Sequence, residues 1–253
     1  MALNLEDQGA LIAIIKNKDK KVKDKKLYVA VDVEDVKNGG PVYNCPEGET
    51  LQIVPNTKSE RQCLYVCGQS GSGKSYFTTQ YVKEYKKLYP KNEIYVISSI
   101  SEDSSIDSLK PKRIDVLDPE FMQETFTSED FRDSLIIFDD VDVFPKKIRD
   151  KVMTIVNNIL QIGRHSNVSI VFTTHSPTNG QDTKILLAES NIITIFAQTT
   201  GNRSLKYLLD NYLGLDKHQI LKVKKLKSRA VSIIRGYPQT IVAEKECFMV
   251  HNF

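Results

Sequence analysis

The chain has 253 residues, of which 40% are hydrophobic and 26% are charged, and its formal net charge is +3. This length suits one α/β domain with small additions, and the hydrophobic fraction is sufficient for a buried core. Lys plus Arg exceed Asp plus Glu only by 35 to 32, so composition does not indicate a nucleic-acid partner, and any basic surface must come from local clustering.

Cysteine usage argues against a zinc-binding protein, and hydropathy argues against a secreted or membrane-spanning one. Cys63 and Cys67 lie in one apolar run, but no second pair and no nearby histidine completes a zinc site, so we expect buried free thiols in a reducing compartment. The apolar patch Leu11–Ile15 follows acidic residues and precedes lysines, which is the wrong order for a secretory signal. No segment is long enough to span a bilayer, so we expect a soluble, intracellular protein.

The first sixty residues are predicted to be β-rich. Lys16–Lys26 is mostly lysine and aspartate, which indicates a solvated turn or flexible arm. The alternating pattern of Leu27–Val33 predicts a strand, Asn38–Pro41 predicts a turn, and short strand-like runs flank the turn at Pro46–Gly48.

Strands and helices alternate through the middle of the chain. The predicted strands are Gln62–Cys67, Glu93–Ser98, Arg113–Leu117, Leu135–Phe138, Ser169–Thr173 and Ile192–Ala197. The predicted helices are Ser75–Leu88, a segment around Phe121–Phe126, and Lys147–Leu160. Alternation of this kind indicates βαβ units, and continuous apolar runs indicate strands covered on both faces. The sequence therefore predicts an α/β fold with a mainly parallel sheet flanked by helices.

The last part of the chain is predicted to contain a helix near Leu205–Tyr212, a basic stretch that ends at Arg229, and a β-hairpin. We expect three segments: a β-rich lead-in with a basic arm at 1–60, a nucleotide-binding core at 61–200, and a helical, basic and hairpin segment at 201–253 that completes the domain.

A phosphate-binding loop is predicted where the motif G-x-x-x-x-G-K-[ST] is matched by Gly68, Gln69, Ser70, Gly71, Ser72, Gly73, Lys74 and Ser75. The glycines allow backbone conformations in which several N–H groups converge on phosphate oxygens, and the following helix adds its positive end. We expect Lys74 to supply the cation for the β- and γ-phosphates and the Ser75 hydroxyl to be a Mg²⁺ ligand. The motif therefore predicts that ATP and Mg²⁺ bind here.

Two carboxylates end the apolar run Leu135–Phe138. We expect Asp139 to hold Mg²⁺, largely through water, and Asp140 to orient or deprotonate the attacking water. The alternative is that both merely cap a strand end, and glutamate is the commoner residue for the water-activating role. Because the predicted strand Glu93–Ser98 intervenes, we expect the acidic strand not to be the neighbour of the strand before the phosphate loop.

The stretch Gly163–Pro177 contains a glycine–arginine turn, an apolar strand and a polar-residue–x-proline ending. With the two earlier motifs it resembles the FtsK–HerA superfamily of P-loop ATPases over roughly Leu64–Ala197. The Gly-Arg-His form is most similar to the DNA-packaging ATPases of large eukaryotic DNA viruses, poxviruses included, and of virophages. The resemblance implies a RecA/ASCE-like fold, ATP hydrolysis coupled to translocation of double-stranded DNA, and a homo-oligomeric ring, pentameric or hexameric. It also implies capsid or portal partners, and a location in a viral factory of the host cytoplasm or in the virion.

The resemblance assigns further roles. His175 occupies the position of a polar residue, usually glutamine, that senses the γ-phosphate, so the histidine departs from the pattern; the alternative is a capping or loop histidine. Arg164 lies where an arginine could reach a neighbouring subunit's nucleotide, and the alternative is a surface arginine after a helix end. Arg203 is a second candidate for that role.

Two basic stretches, Lys16–Lys26 and Lys217–Arg229, are candidates for non-specific contact with double-stranded DNA, and the alternative is that both are solvated faces. Apolar residues interleave the second stretch, which predicts an amphipathic helix with one basic face.

Other nucleotide-binding classes fit less well. Nucleotide kinases of this size carry a lid with several arginines, and no such cluster follows the acidic strand. The leucine-serine-glycine-glycine-glutamine signature of ABC ATPases is absent, and little chain remains for the nuclease domain of a large terminase. A kinase and a nucleotide-binding switch stay open as alternatives to a DNA motor.

Overall fold

The computed structural model describes residues 1–32, 39–59, 61–178 and 183–252. The chain forms two compact units, one built from 1–59 and 191–253 and the other from 60–190. The amino-terminal and carboxyl-terminal parts of the chain thus share a unit, and the division into 1–60, 61–200 and 201–253 stays a prediction.

The first unit begins with five short strands. They are β1 (Ala2–Asn4), β2 (Ala10–Asn17), β3 (Lys25–Ala30), β4 (Val42–Asn44) and β5 (Glu49–Ile53). Four of them form an antiparallel sheet in the order β1–β3–β2–β5. Residues 18–24 connect β2 to β3, so the lysine-rich stretch is the turn of a β-hairpin. The end of the predicted strand Leu27–Val33 and the start of the predicted turn Asn38–Pro41 lie outside the described residues.

The second unit carries the α/β core predicted from the sequence. Its strands are β6 (Cys63–Cys67), β7 (Glu93–Ser98), β8 (Lys112–Asp115), β9 (Ser134–Phe138) and β10 (Val168–Thr174). Its helices are α1 (Lys74–Leu88), α2 (Ser104–Asp107), α3 (Lys146–Ile162) and α4 (Lys184–Glu189), with 3₁₀ turns at Pro119–Met122, Ser128–Phe131 and Val141–Val143.

The five strands of this unit are all parallel and pair in the order β6–β10–β9–β7–β8. Every residue of β6, β9 and β10 is buried, which explains their continuous apolar character. Because β10 lies between β6 and β9, the acidic strand is not the neighbour of the strand before the phosphate loop, as the sequence predicted.

Helix α3 is amphipathic and turns sharply into β10 at its carboxyl end. Its buried residues include Val152, Val156 and Ile159, which recur at helical spacing. A Cβ atom on Gly163 would lie 2.5 Å from the carbonyl oxygen of Ile159, so only glycine fits this turn. Arg61 donates to the carbonyl oxygens of Ile159 and Leu160 at the carboxyl end of α3, where its positive charge also meets the negative end of the helix dipole.

The predicted helix around Phe121–Phe126 is wrong, because only a 3₁₀ turn at Pro119–Met122 forms. Asp118 caps this turn through the backbone N–H of Glu120. The ring of Phe126 stacks between those of Phe121 and Phe131, at centroid distances of 5.6 and 6.0 Å, so aromatic packing fixes an irregular segment.

The first unit resumes after residue 190. Its remaining elements are β11 (Ile192–Ile195), α5 (Asn202–Tyr207) with a wide turn at Leu208–Tyr212, α6 (Lys217–Lys225), β12 (Val231–Ile234), β13 (Thr240–Val242), β14 (Glu246–Met249) and a 3₁₀ turn at Val250–Asn252. Within this unit the strands pair antiparallel in the order β11–β12–β13–β14–β4, and the consecutive strands β12, β13 and β14 contain the predicted carboxyl-terminal hairpin.

Candidate functional site

The carboxyl ends of three neighbouring strands bring the predicted motifs together. Register pairs Cys67 of β6 with Thr174 of β10, and Phe172 of β10 with Phe138 of β9. The phosphate loop, the acidic pair and His175 follow these strand ends, so all three motifs emerge at the same edge of the sheet.

The phosphate loop runs from the end of β6 to the start of α1. Gly71 and Gly73 have φ values of 73° and 107°, in the left-handed region that favours glycine. The Gly68 N–H donates to the carbonyl oxygen of Thr174 at 3.1 Å, and the Ser72 N–H donates to that of Gln69 at 3.1 Å. This curled backbone ahead of a helix is the arrangement that binds phosphate oxygens.

Lys74 is buried inside the loop, with 6% of its surface exposed. Its Nζ donates to the Gly68 carbonyl oxygen at 2.9 Å and lies 3.3 Å from Oδ1 of Asp140. The ammonium group therefore joins the phosphate loop to the acidic strand. Ser75 is the second residue of α1 and is half-buried.

Asp139 is a buried carboxylate with two hydroxyl neighbours. The Thr173 hydroxyl lies 3.0 Å from Oδ1, and the Ser98 hydroxyl, at the end of β7, lies 3.4 Å from Oδ2. Burial, and secondly the charge of Asp140, raise the pKa of Asp139 to about 6, and the hydrogen bond from Thr173 opposes this shift. A divalent cation would relieve the same charge.

Asp140 has a left-handed backbone, with φ 46° and ψ 47°. Its N–H donates to the Thr173 hydroxyl at 2.8 Å, which holds the turn after β9. Both carboxylate oxygens have partners: Oδ1 lies 3.3 Å from Nζ of Lys74, and Oδ2 lies 2.8 Å from Nε2 of His175. The backbone N–H of His175 donates to Oδ2 of Asp142 at 2.9 Å, which fixes the loop after β10.

The structure does not bring Arg164 into this site. Arg164 is exposed and precedes β10, whereas the site lies beyond the other end of that strand. Seven residues of strand separate the two ends by roughly 20 Å. Arg203 is exposed on α5, in the first unit.

Three site residues were not predicted from the sequence: Ser98, Asp142 and Thr173. The available signal was position, because Ser98 and Thr173 lie at or next to the carboxyl ends of β7 and β10. Only the strand order shows that both hydroxyls reach Asp139.

The residues fit a nucleotide with Mg²⁺. In the part of the chain that the structure describes, no group of three or more His, Cys, Asp or Glu side chains could hold a metal ion. Mg²⁺ is commonly held by one or two carboxylates together with substrate phosphates, so Asp139 and the Ser75 hydroxyl suffice when a nucleotide supplies the other ligands. Among the same described residues, no helix is long and apolar enough to cross a membrane.

The fold is similar to that of viral P-loop ATPases. The chain matches the crystal structure of B204, the DNA-packaging ATPase of Sulfolobus turreted icosahedral virus, with a TM-score of 0.52 and 20% identity, over 75% of this chain and 98% of B204. The B204 of Sulfolobus turreted icosahedral virus 2, in complex with sulfate, matches with a TM-score of 0.51 and 19% identity over 74% of this chain and 97% of that one. The predicted α/β P-loop fold is therefore confirmed.

A closer relative is found by sequence. The chain is 39% identical over 228 residues to the uncharacterized protein V3 of the Sputnik virophage, an alignment that covers 88% of this chain and 89% of V3. No protein-family model matches the chain. The predicted likeness to virophage proteins is thus confirmed, and the chain belongs to the same family as protein V3 of the Sputnik virophage.

Proposed function

We propose that this protein hydrolyses ATP with Mg²⁺ and uses the energy to move double-stranded DNA, packaging a viral genome into its capsid. The observation that carries the proposal is that Lys74 of the phosphate loop and His175 both lie within hydrogen-bonding distance of the Asp140 carboxylate. The similarity to the B204 fold supports it, because B204 is a DNA-packaging ATPase. The virophage source of V3 agrees with a viral genome as the cargo.

Each residue has a role that follows from its position. The loop from Gly68 to Gly73, with Lys74, binds the phosphates, and Ser75 and Asp139 hold Mg²⁺, which neutralises charge on the β- and γ-phosphates. Asp140 orients the attacking water and takes its proton as the new P–O bond forms and the bond to the β-phosphate oxygen breaks. His175 donates a hydrogen bond to the γ-phosphate and thereby stabilises its developing charge.

A ring of subunits explains the position of Arg164. At roughly 20 Å from its own site it cannot contact the nucleotide there, so its action requires a second copy of the chain. Exposed apolar side chains follow the carboxyl ends of three adjacent strands: Ile100 after β7, Leu117 after β8 and Val143 after β9, with 46, 55 and 55% of their surfaces exposed. We propose that this edge receives the Arg164 edge of the next subunit, since such head-to-tail contacts close into rings.

Two surfaces of the first unit are candidates for the DNA backbone. Helix α6 buries Ile220 and Val223 and exposes Lys217 and Lys225, so it has the predicted amphipathic character. The turn between β2 and β3 exposes a second group of lysines, which are Lys18, Lys20, Lys21 and Lys23. Such contacts neutralise phosphates without reading bases, and a ring would multiply them. In this role the protein would act in the viral factory or the virion, beside capsid or portal proteins.

The test is ATP hydrolysis by the purified full chain with Mg²⁺, without and with double-stranded DNA. We expect hydrolysis that DNA stimulates, and the Lys74→Ala variant should bind no nucleotide and have no activity. A phosphate transfer that requires a small acceptor molecule would instead identify a kinase and refute the motor. Nucleotide binding without turnover, with or without DNA, would identify a switch.

A further inference from the structure

A buried hydroxyl lies between the two carboxylates of the site. Thr173 is fully buried on β10, which lies between β6 and β9 in the sheet. Its Oγ1 lies 3.0 Å from Oδ1 of Asp139 and 3.3 Å from Oδ1 of Asp140. The same oxygen accepts the backbone N–H of Asp140 at 2.8 Å. One side chain therefore contacts the candidate Mg²⁺ ligand, the candidate base and the backbone of that base.

The hydrogen-bonding capacity of a threonine limits what this hydroxyl can do. It has one proton to donate, so it serves Asp139 or Asp140 at any moment but not both. It has two lone pairs, and one of them accepts the Asp140 N–H. The donated bond can therefore shift between the carboxylates while the accepted bond keeps the turn in place.

We propose that Thr173 is a positioning residue for hydrolysis, an inference that rests on the proposed function. The accepted bond stabilises the left-handed turn of Asp140 and so sets the direction of its carboxylate toward the water. The donated bond orients Asp139 for Mg²⁺. When Lys74 engages a phosphate, Oδ1 of Asp140 loses an ionic neighbour, and the bond that Thr173 accepts from the Asp140 backbone N–H keeps the turn in place.

The alternative is a hydroxyl that only fills space in the sheet. Two substitutions separate the possibilities, because valine keeps the shape of threonine without the hydroxyl and serine keeps the hydroxyl without the methyl group. Thr194 provides a matched control, since it is also fully buried on a strand and its hydroxyl pairs with that of Ser232 at 2.8 Å in the first unit.

The experiment measures kcat and KM for ATP, together with the Mg²⁺ concentration that gives half-maximal binding of a non-hydrolysable ATP analogue, for the wild type and the variants Thr173→Val, Thr173→Ser and Thr194→Val. For Thr173→Val we expect KM within about threefold of the wild type, a fall in kcat of about 100-fold, and a Mg²⁺ requirement raised about tenfold, as for other residues that orient a metal ligand. Thr173→Ser should restore kcat to within about fivefold, and Thr194→Val should change none of the three constants.

Two results would overturn the inference while leaving the proposed function intact. One is an active wild type with kcat and Mg²⁺ requirement unchanged in Thr173→Val, and the other is an equal loss in the serine and valine variants. If Thr173→Val does not fold, Thr173→Ser decides alone. A kcat within about fivefold of the wild type then supports the inference, and a larger fall contradicts it, because the hydroxyl is retained in that variant. A wild type without hydrolysis would refute the proposed function, and the inference with it.

Discussion

His175 and Asp140 form a close pair across two strand ends, with 2.8 Å between Nε2 and Oδ2. The other oxygen of the same carboxylate faces Lys74 at 3.3 Å. Both neighbours of the candidate base are thus groups that would also face the phosphates of a bound nucleotide. In our account, nucleotide binding draws Lys74 and His175 toward the phosphates and frees Asp140 to engage the attacking water.

The contribution of His175 to turnover should be a hydrogen bond that its side chain donates, which another donor side chain can replace. Replacement by alanine should lower kcat by about 100-fold, because one donor to the developing charge is lost. His175→Gln should retain most of the activity, since an amide N–H can donate in its place. His165→Ala is the control, because His165 is exposed before β10, and steady-state ATPase assays should show it within about twofold of the wild type. Equal activity in His175→Ala and wild type would contradict the role.

Asp140 should be separable into a chemical and a structural part. Asp140→Asn should bind ATP normally while kcat falls by about 10²–10⁴-fold, because the amide cannot accept the proton from water. Asparagine tolerates the left-handed backbone that Asp140 adopts, whereas alanine pays about 1 kcal/mol there. Asp140→Ala should therefore have a lower Tm than Asp140→Asn, with equally low activity. Unchanged turnover in Asp140→Asn would remove this residue from its role.

Asp139 should make the nucleotide-free protein less stable as the pH rises. Its pKa is raised from 3.8 to about 6, so the folded state binds the proton more tightly than the unfolded state does. The contribution of this group to the free energy of unfolding is fully present below pH 3.8. It is lost as the pH rises from 3.8 through 6, by about 3 kcal/mol in total.

The variant Asp139→Asn tests this directly, because it removes the buried charge. At pH 8 without Mg²⁺ and ATP it should be more stable than the wild type in denaturant unfolding, and the gain should shrink toward pH 4. Its Mg²⁺-dependent ATPase activity should be lost. A gain that is independent of pH would show that burial of the carboxylate does not carry this cost.

Arg164 should act only in an assembly. Arg164→Ala should lose about 10³-fold in kcat, as for other arginines that act on a transferring phosphoryl group. Mixing it with Lys74→Ala subunits should restore part of the activity, because an intact site then meets an intact arginine from the neighbour. Arg203→Ala is compared in parallel, since Arg203 is the other candidate. Absence of rescue in every mixed assembly would count against action in trans.

The sequence pattern alone predicted those elements of the fold that neighbouring residues specify. The glycine spacing and Lys74 predicted the phosphate loop, and the apolar run before Asp139 predicted β9. The partners of β4 and β5 could not be predicted. Only a short turn separates these two strands, yet β4 pairs with β14 and β5 pairs with β2. Such pairing depends on distant residues, which a sequence window does not contain.

The candidate site was predicted where a sequence motif marks its residues, and Ser98, Asp142 and Thr173 were missed because no motif marks them. Lys74, Asp139 and Asp140 stand out because their charges are costly to bury. Thr173 and Ser98 look like ordinary strand residues, and their role becomes visible only when β10 is placed beside β9 and β9 beside β7. The helix predicted around Phe121–Phe126 was wrong for a related reason, because the packing of aromatic rings from separate positions determines the backbone there.

The most direct test of a DNA motor is displacement of a third strand from a double-stranded DNA that carries a triplex. The wild-type protein with ATP and Mg²⁺ should release the third strand, and the Asp140→Asn variant should bind the same DNA and ATP without releasing it. Hydrolysis of ATP by the wild type with no release of the third strand, from either end of the duplex, would contradict translocation.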